Sequence, residues 1–396
     1  MEHKNNHLFD MNDINEKIAF LQNVDTLKRP YVASKLYKKQ APFILSQIAY
    51  RNIARYKLPT FFAANCLFSE KSIAQATAEQ VAQYKAIIVG KAKKLYSLTG
   101  GLGVDDYFFA KNIDSLISYD LDEALNNIVR SNFSALHVKN IERHTQKGED
   151  FFNLNIDEKQ NALIYIDPDR RLLNKSNKII TEFSPDIIKL VPELLAFNCT
   201  IYLKLPGVTD ISWVNANISN IDEIYIIALF NEVKELFIKV SPGAKNSPIL
   251  TAIHLSKENE PKQYSEEVIK LILAQTKAEK GLYIYEPWHC ISKIRLQHIA
   301  KPISPNTHLF YTSKTALSKH GKLFMIHYDG FITLPEIQKL LKQKKIDKSA
   351  VTARNTKITS AEFSQKLGLK TDDKMHMFIF GLEKKYHFII AEVCKG

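Results

Sequence analysis

Residues 97–106 read SLTGGLGVDD, and the types and spacing of their side chains could hold a cofactor. The small residues Thr99, Gly100, Gly101 and Gly103 follow an apolar run and precede a helix-forming one. Without bulky β-substituents there, the backbone can approach a ligand closely, and the helix start offers free N–H groups. No Lys-Ser or Lys-Thr pair follows, which excludes a phosphate-gripping P-loop, and glycines at 100, 101 and 103 miss the GxGxxG spacing of dinucleotide sites. Asp120 ends the next apolar run, SLISYD, 17 residues after Gly103. A carboxylate there can accept hydrogen bonds from both hydroxyls of a ribose. Asp120 or Asp122 can equally be the N-cap of the helix that begins EALNNIV. GED at 148–150 offers Asp150 to an adenine amino group and Phe151 to its ring, or is simply a turn. YIDPDRR places Asp167 and Pro168 at the end of an apolar strand. Aspartate can orient or deprotonate a nucleophile, proline stiffens the turn, and Arg170 and Arg171 are forked donors for a phosphate or a base edge. The structural alternative for that turn is an Arg–Asp pair bracing it.

The elements that must position these groups are legible in the same stretch. Residues 1–90 read as helical, with Ile44, Ile48 and Ile53 as one apolar stripe and Ser69 or Ser72 capping a long run from SEKSIAQ to VGKA. From about Lys94 strands and helices alternate: LYSL, SLISYD, NALIYID, CTIYLKL, IDEIYIIAL and LFIKV are the strands. Apolar strands separated by helices predict a mostly parallel sheet covered on both faces, with ligands at the carboxyl ends of its strands. A boundary is expected near 275–280. Beyond it come a small α/β unit, the strand KLFMIHYDG, two helices, and the terminal hairpin MHMFIFGLEKKYHFIIAEV.

Composition narrows the function. The chain has 396 residues, 45% hydrophobic and 24% charged, ordinary values for a globular protein and more than one domain's worth of length. No apolar run nears the roughly 20 residues that span a bilayer, and the polar N-terminus has no signal-peptide core. Four scattered cysteines, with no His/Cys cluster at zinc spacing, predict neither a disulfide framework nor a metal, and suit a cytoplasmic protein. The net charge is +12, and residues 281–396 hold 19 Lys/Arg against 9 Asp/Glu, with seven of the twelve histidines. Such a concentration suits a polyanionic partner, although a solvated lysine-rich face would look the same.

LTGGLGVDDYFFAKN, YDLDEAL, GEDFF and YIDPDRR together resemble the motifs of class I S-adenosylmethionine-dependent methyltransferases. More narrowly, the chain is similar to a bacterial family of predicted RNA methyltransferases, with QATAEQVAQYKA, LKLPGVTD, NEVKEL, YEPWHCISK and VTARNTKITSAEFSQKLGLK as further matching stretches. The resemblance implies an α/β fold: a Rossmann-like, seven-stranded methyltransferase sheet with an N-terminal helical region and small C-terminal α+β domains. The implied domains are a helical region at 1–90, the methyltransferase domain at 91–277, a ferredoxin-like domain at 278–321 and a THUMP-like, RNA-binding domain at 322–396. S-adenosylmethionine would lie across the strand ends. Thr99, Gly100, Gly101 and Gly103 would face its methionine part, Asp120 its ribose, and Asp150 and Phe151 its adenine. Asp167, Pro168 and Arg170 would serve the transfer, and Arg171, Lys204 and Arg354 would contact an RNA such as tRNA or rRNA. The family usually carries an acidic residue where this chain has Ser97, and tends to have Asn where it has Trp288. The implied activity is methylation of a base in structured RNA. Two other readings stay open: an RNA-binding protein with a decayed methyltransferase domain, and an NAD-dependent oxidoreductase.

Overall fold

The computed structural model describes residues 11–171, 182–245, 247–256, 260–277, 281–294, 299–381 and 385–394. They divide into two compact units. The first comprises the chain to Leu229 together with Lys234–Pro248, and the second comprises Phe230–Val233 and the chain from Ile249 onward.

The first unit begins with helices Met11–Gln22, Arg29–Tyr37, Ala41–Lys57, Pro59–Ala63, Glu70–Gln75 and Glu79–Val89. In Ala41–Lys57 the buried stripe is Ala41, Ile44, Gln47, Ile48, Arg51 and Ala54, spaced for one helical face. Ile53 falls off that stripe and is 48% exposed, contrary to expectation. Ser69 does cap a helix, in a reciprocal capping box with Ser72. The helical run from SEKSIAQ to VGKA is interrupted, however, because Ala76 turns out of helical geometry after one and a half turns. The Asn132 side chain bonds both the N–H and the C=O of Leu67, at 2.8 and 2.9 Å, fastening the helical region to the helix Glu123–Ala135.

The strands of this unit's large sheet are β1 (Ala92–Ser97), β2 (Ile113–Tyr119), β3 (Ile141–His144), β4 (Leu163–Ile166), β5 (Thr200–Pro206), β6 (Ile221–Leu229) and β7 (Glu232–Val240). Strands β3, β2, β1, β4 and β5 are mutually parallel in that order, and β7 runs antiparallel to β5. Buried apolar side chains on both faces, such as Leu95, Tyr96, Leu116, Ile164, Tyr165, Ile201 and Leu203, explain why these strands read as continuous apolar runs. The hydrogen-bonded order contains nine strands, against the expected seven: β9-β8-β6-β7-β5-β4-β1-β2-β3. The extra two are the antiparallel pair β8 (Ile249–Leu255) and β9 (Lys262–Ser265), which belong to the second unit's part of the chain and precede the expected boundary.

The second unit has its own seven-stranded sheet. Its order is Thr276–Lys277, Phe310–Thr312, Tyr283–Pro287, Gly321–Ile332, Tyr386–Val393, Met375–Phe380 and Ala350–Arg354. Strands from 278–321 and from 322–396 are therefore neighbours in one sheet. The two-residue alternation of Met375–Phe380 splits it between two cores. Met377 and Ile379 meet Ile337, Leu341 and Phe363 of the helices Leu334–Lys344 and Ser360–Leu367, whereas Phe378 and Phe380 pack with Phe324 and Ile389.

Candidate active site

The glycine loop leaves the carboxyl end of β1 and enters the helix Val104–Phe109. Gly101 sits at φ +50° and Gly103 at φ +76°, both in the left-handed region. The loop's glycines do different work. A β-carbon on Gly101 would meet nothing within 4 Å, so this position opens to solvent. One on Gly100 would lie 1.7 Å from Arg143 Nη1, and one on Gly103 would lie 2.6 Å from Phe133 Cζ. Gly100 and Gly103 are therefore required for packing, and Gly101 for an open floor.

Asp120 braces that floor. Its Oδ2 accepts from the Gly101 N–H at 2.9 Å, and its Oδ1 accepts from the Asp122 N–H at 2.9 Å. The helix cap is Asp122, whose side chain accepts from Leu125 N–H, so Asp120 is not consumed as the cap. An ionised carboxylate has about four acceptor sites, which leaves Asp120 capacity for further donors.

Arg143, at the end of β3, holds the loop from below. Its Nη2 donates to Gly101 O at 2.7 Å, Nη1 to Ser118 Oγ at 2.7 Å and Nε to Asn126 Oδ1 at 2.7 Å. It also pairs with Asp106 at 3.4 Å and approaches Asp120 at 3.6 Å. Asp106 is almost fully buried, and its carboxyl is pushed above the ordinary range by burial, against the pull of Arg143, Ser118 and Ser97. Ser97 itself is wholly buried on this side of the loop. Nothing in the local sequence marks Arg143 or Asp106; they became a unit only when β2, β3 and the loop packed together.

Asp167 follows β4 and is tied to two neighbours. Its backbone N–H donates to Thr99 Oγ1 at 2.6 Å, and its Oδ2 pairs with Lys204 Nζ of β5 at 2.6 Å. Behind this pair lies a second group the sequence reading missed. Lys85 is completely buried and pairs at 2.9 Å with both Asp105 and Glu235, while Tyr165 donates to Asp105 at 2.6 Å. Burial raises the Glu235 carboxyl. For Asp105 the burial penalty is outweighed by Lys85, Lys204 and the Tyr165 hydroxyl, and its carboxyl is lowered. Burial likewise opposes the Lys204 ammonium, but Asp167, Glu235 and Asp105 raise it above the usual lysine value.

The predicted residues thus divide. Thr99, Gly100, Gly101, Asp120, Asp167 and Lys204 converge at the carboxyl ends of β1, β2, β4 and β5. Pro168 is buried, and the expected turn after it is instead a short strand, Asp169–Arg171, paired antiparallel with Glu182–Ser184. Asp169 pairs with Lys71 at 2.7 Å. The side chains of Arg170 and Arg171 lie outside the described residues. Asp150 is partly exposed in a six-residue 3-10 helix, Gly148–Asn153, and accepts from Asn153. Phe151 has no exposed surface and meets Tyr96 edge-on at 5.0 Å; it is a core residue and has no face to give an adenine. Arg354 is exposed at the end of a strand of the second unit. Among the described residues no group of three His, Cys, Asp or Glu could hold a metal, and no helix is long and apolar enough to cross a membrane.

Comparison with known proteins adds the fold relationship. No protein-family profile and no curated protein matches the chain. Among solved structures, a protein of Porphyromonas gingivalis W83, provisionally named a methyltransferase, matches with a TM-score of 0.78 at 20% identity. The match covers 98% of this chain and 99% of that one. A provisionally named class I S-adenosylmethionine-dependent methyltransferase of Listeria monocytogenes matches at TM-score 0.37 and 13% identity, over 67% of this chain and 96% of its own. A protein of Streptococcus mutans, also provisionally named a methyltransferase and solved with SAH, matches at TM-score 0.30 and 12% identity, over 41% and 96%. The likeness across the full chain is one of fold: α/β, with a large, mostly parallel, Rossmann-like sheet.

Proposed function

We propose that the chain is an S-adenosylmethionine-dependent methyltransferase that modifies a base in structured RNA, either tRNA or rRNA. The observation that carries this reading is the open, left-handed Gly101 beside Asp120, with Asp167 tied to the same loop through Thr99. A nucleoside cofactor fits such a cradle: the floor at Gly101 is open, and a partly exposed carboxylate stands where ribose hydroxyls would be met. A sulfonium cofactor supplies the electrophilic methyl group when bound. The chain's task is then positioning and electrostatics. Thr99 and Gly101 line the methionine side, Asp120 the ribose and Asp150 the adenine edge, while Asp167 orients the acceptor atom. The +10 surplus of residues 281–396 supports a polyanionic substrate.

A second reading rests on Ser97. The hydroxyl at the end of β1 is buried, and the acidic Asp106 is engaged with Arg143 and Ser118, features of a domain that keeps the fold and binds RNA without turnover. Calorimetry with S-adenosylmethionine and its demethylated product separates the two. Binding in the micromolar range is expected, and no binding at high micromolar concentration would remove the first reading. Mass spectrometry of tRNA and rRNA nucleosides from cells with and without the protein then identifies the product.

A further inference from the structure

We propose that Lys204 is the positioning residue of the transfer site, fixing the Asp167 carboxylate for the acceptor, and that it makes no contact with RNA. This deepens the methyltransferase reading and rests on it.

The argument begins with where the ammonium is. Lys204 Nζ lies 2.6 Å from Asp167 Oδ2, and its side chain is only 13% exposed. A phosphate-binding lysine keeps its charge in water, free to exchange a counterion for the nucleic acid. Lys204 instead faces three carboxylates, Asp167, Glu235 and Asp105, which together hold its proton more firmly than usual. Glu235 and Asp105 are in turn held by the wholly buried Lys85. The ammonium is therefore part of a fixed internal lattice whose outermost member is Asp167.

That lattice has a geometric consequence. Lys204 takes Oδ2 of Asp167, and Thr99 takes its backbone N–H. Asp167 is the more exposed partner, with a side chain 35% accessible, so its carboxylate is the group that can reach an acceptor. With one oxygen pinned to β5 and the backbone pinned to the glycine loop, Oδ1 is left with a defined direction. Orientation of this kind supplies rate while leaving substrate affinity alone.

The test compares the full-length wild type with K204M, K204R and D167N. The probe is bulk tRNA and rRNA from a strain lacking the protein. Affinity for that RNA is measured across salt concentrations, S-adenosylmethionine affinity by calorimetry, and kcat and KM by methyl incorporation. In K204M we expect RNA affinity within twofold of wild type, an unchanged salt slope, and kcat at least 100-fold lower, matching D167N. K204R, which keeps the charge and the fold, should recover to within tenfold of wild type. A tenfold loss of RNA affinity in K204M, with the salt slope reduced by about one and kcat preserved, would mark Lys204 as a phosphate contact and overturn the inference. Urea unfolding of K204M, D167N and the double variant gives a readout independent of activity. The double variant should unfold with the worse single variant, and simple addition of the two effects would show that the pair does not act as a unit. Wild-type protein that binds no S-adenosylmethionine refutes the methyltransferase reading instead, a result distinct from both.

Discussion

The Asp167 N–H donates to the Thr99 hydroxyl at 2.6 Å, so the residue that would meet an acceptor hangs from the loop that would hold a cofactor. The Thr99 side chain thereby ties together the segments that leave β1 and β4, strands already paired in parallel register. Thr99→Val keeps the shape and removes the acceptor, leaving a partly buried N–H without its partner. We expect a loss of about 1–3 kcal/mol in urea unfolding and weaker S-adenosylmethionine binding by calorimetry. Thr99→Ser should restore both, and a Val variant indistinguishable from wild type would show that the two loops are independent.

Gly100→Ala tests the packing under the loop. Its β-carbon would lie 1.7 Å from Arg143 Nη1 and 2.4 Å from Ser118 Oγ, and neither group can retreat without breaking its own hydrogen bonds. The variant should lose more than about 2 kcal/mol of stability and at least tenfold in cofactor affinity. Gly101→Ala meets no atoms, and its cost is the strain of φ +50° alone, about 1 kcal/mol. The order of the two variants in thermal melts decides the matter: Gly101→Ala must be the milder.

These residues differ in how far the sequence reveals them. The succession of strands along the chain and the glycine loop were legible because parallel strands buried on both faces leave unbroken apolar runs, and because a left-handed turn at a helix start selects glycine. Asp120 and Asp167 were legible because they close such runs. Arg143 was not, since it sits among polar residues in KNIERHTQKGED and its burial depends on Asn126, Ser118 and Gly101 from three other segments. Lys85, Asp105 and Glu235 were missed for the same reason: each reads as an ordinary surface charge until the helices Glu79–Val89 and Val104–Phe109 and strand β7 bring them together. Phe151 failed in the other direction, an aromatic beside a turn that packs inward against Tyr96. Charges paired across long sequence separations leave no local period to detect.

Arg143→Met should be among the most damaging substitutions in the first unit. It strips the cation from buried Asp106 and the support from Gly101 O, and breaking a buried pair typically costs about 3–5 kcal/mol. The pH dependence carries a sign. Burial raises the Asp106 carboxyl in the folded state, so its favourable contribution is present when the group is protonated and is lost as pH rises through its folded value. Removing Arg143 takes away the strongest influence opposing that rise. Stability of the variant should therefore fall more steeply than wild type as pH rises above the ordinary aspartate value of about 3.9, and Arg143→Met with Asp106→Asn should flatten the slope. Equal slopes in all three proteins, measured by urea unfolding at each pH, would mean that Asp106 stays ionised throughout.

His376 makes the second unit sensitive to acid. Its ring stacks on Phe378 at 4.5 Å and meets Phe324 edge-on at 5.2 Å, and its Nε2 is 2.7 Å from Thr352 Oγ1. Burial, aided by the nearby Lys322, pushes the imidazole down to about 4. An unfolded histidine titrates near 6.5. Between those values the unfolded chain binds a proton that the folded one refuses, so stability is complete above about pH 6.5 and drains away towards pH 4, by at most about 1.4 kcal/mol per pH unit. His376→Phe keeps a ring between the two phenylalanines and cannot take the proton. The readout is the fluorescence of Trp288, which lies in the second unit and is isolated by Trp213→Phe, the chain having two tryptophans. In that background the urea midpoint should fall on acidification from about pH 7 to pH 5, and adding His376→Phe should remove most of the fall. An identical fall with phenylalanine in place would assign the acid sensitivity to other groups, such as His254 and His320, whose imidazoles burial also lowers.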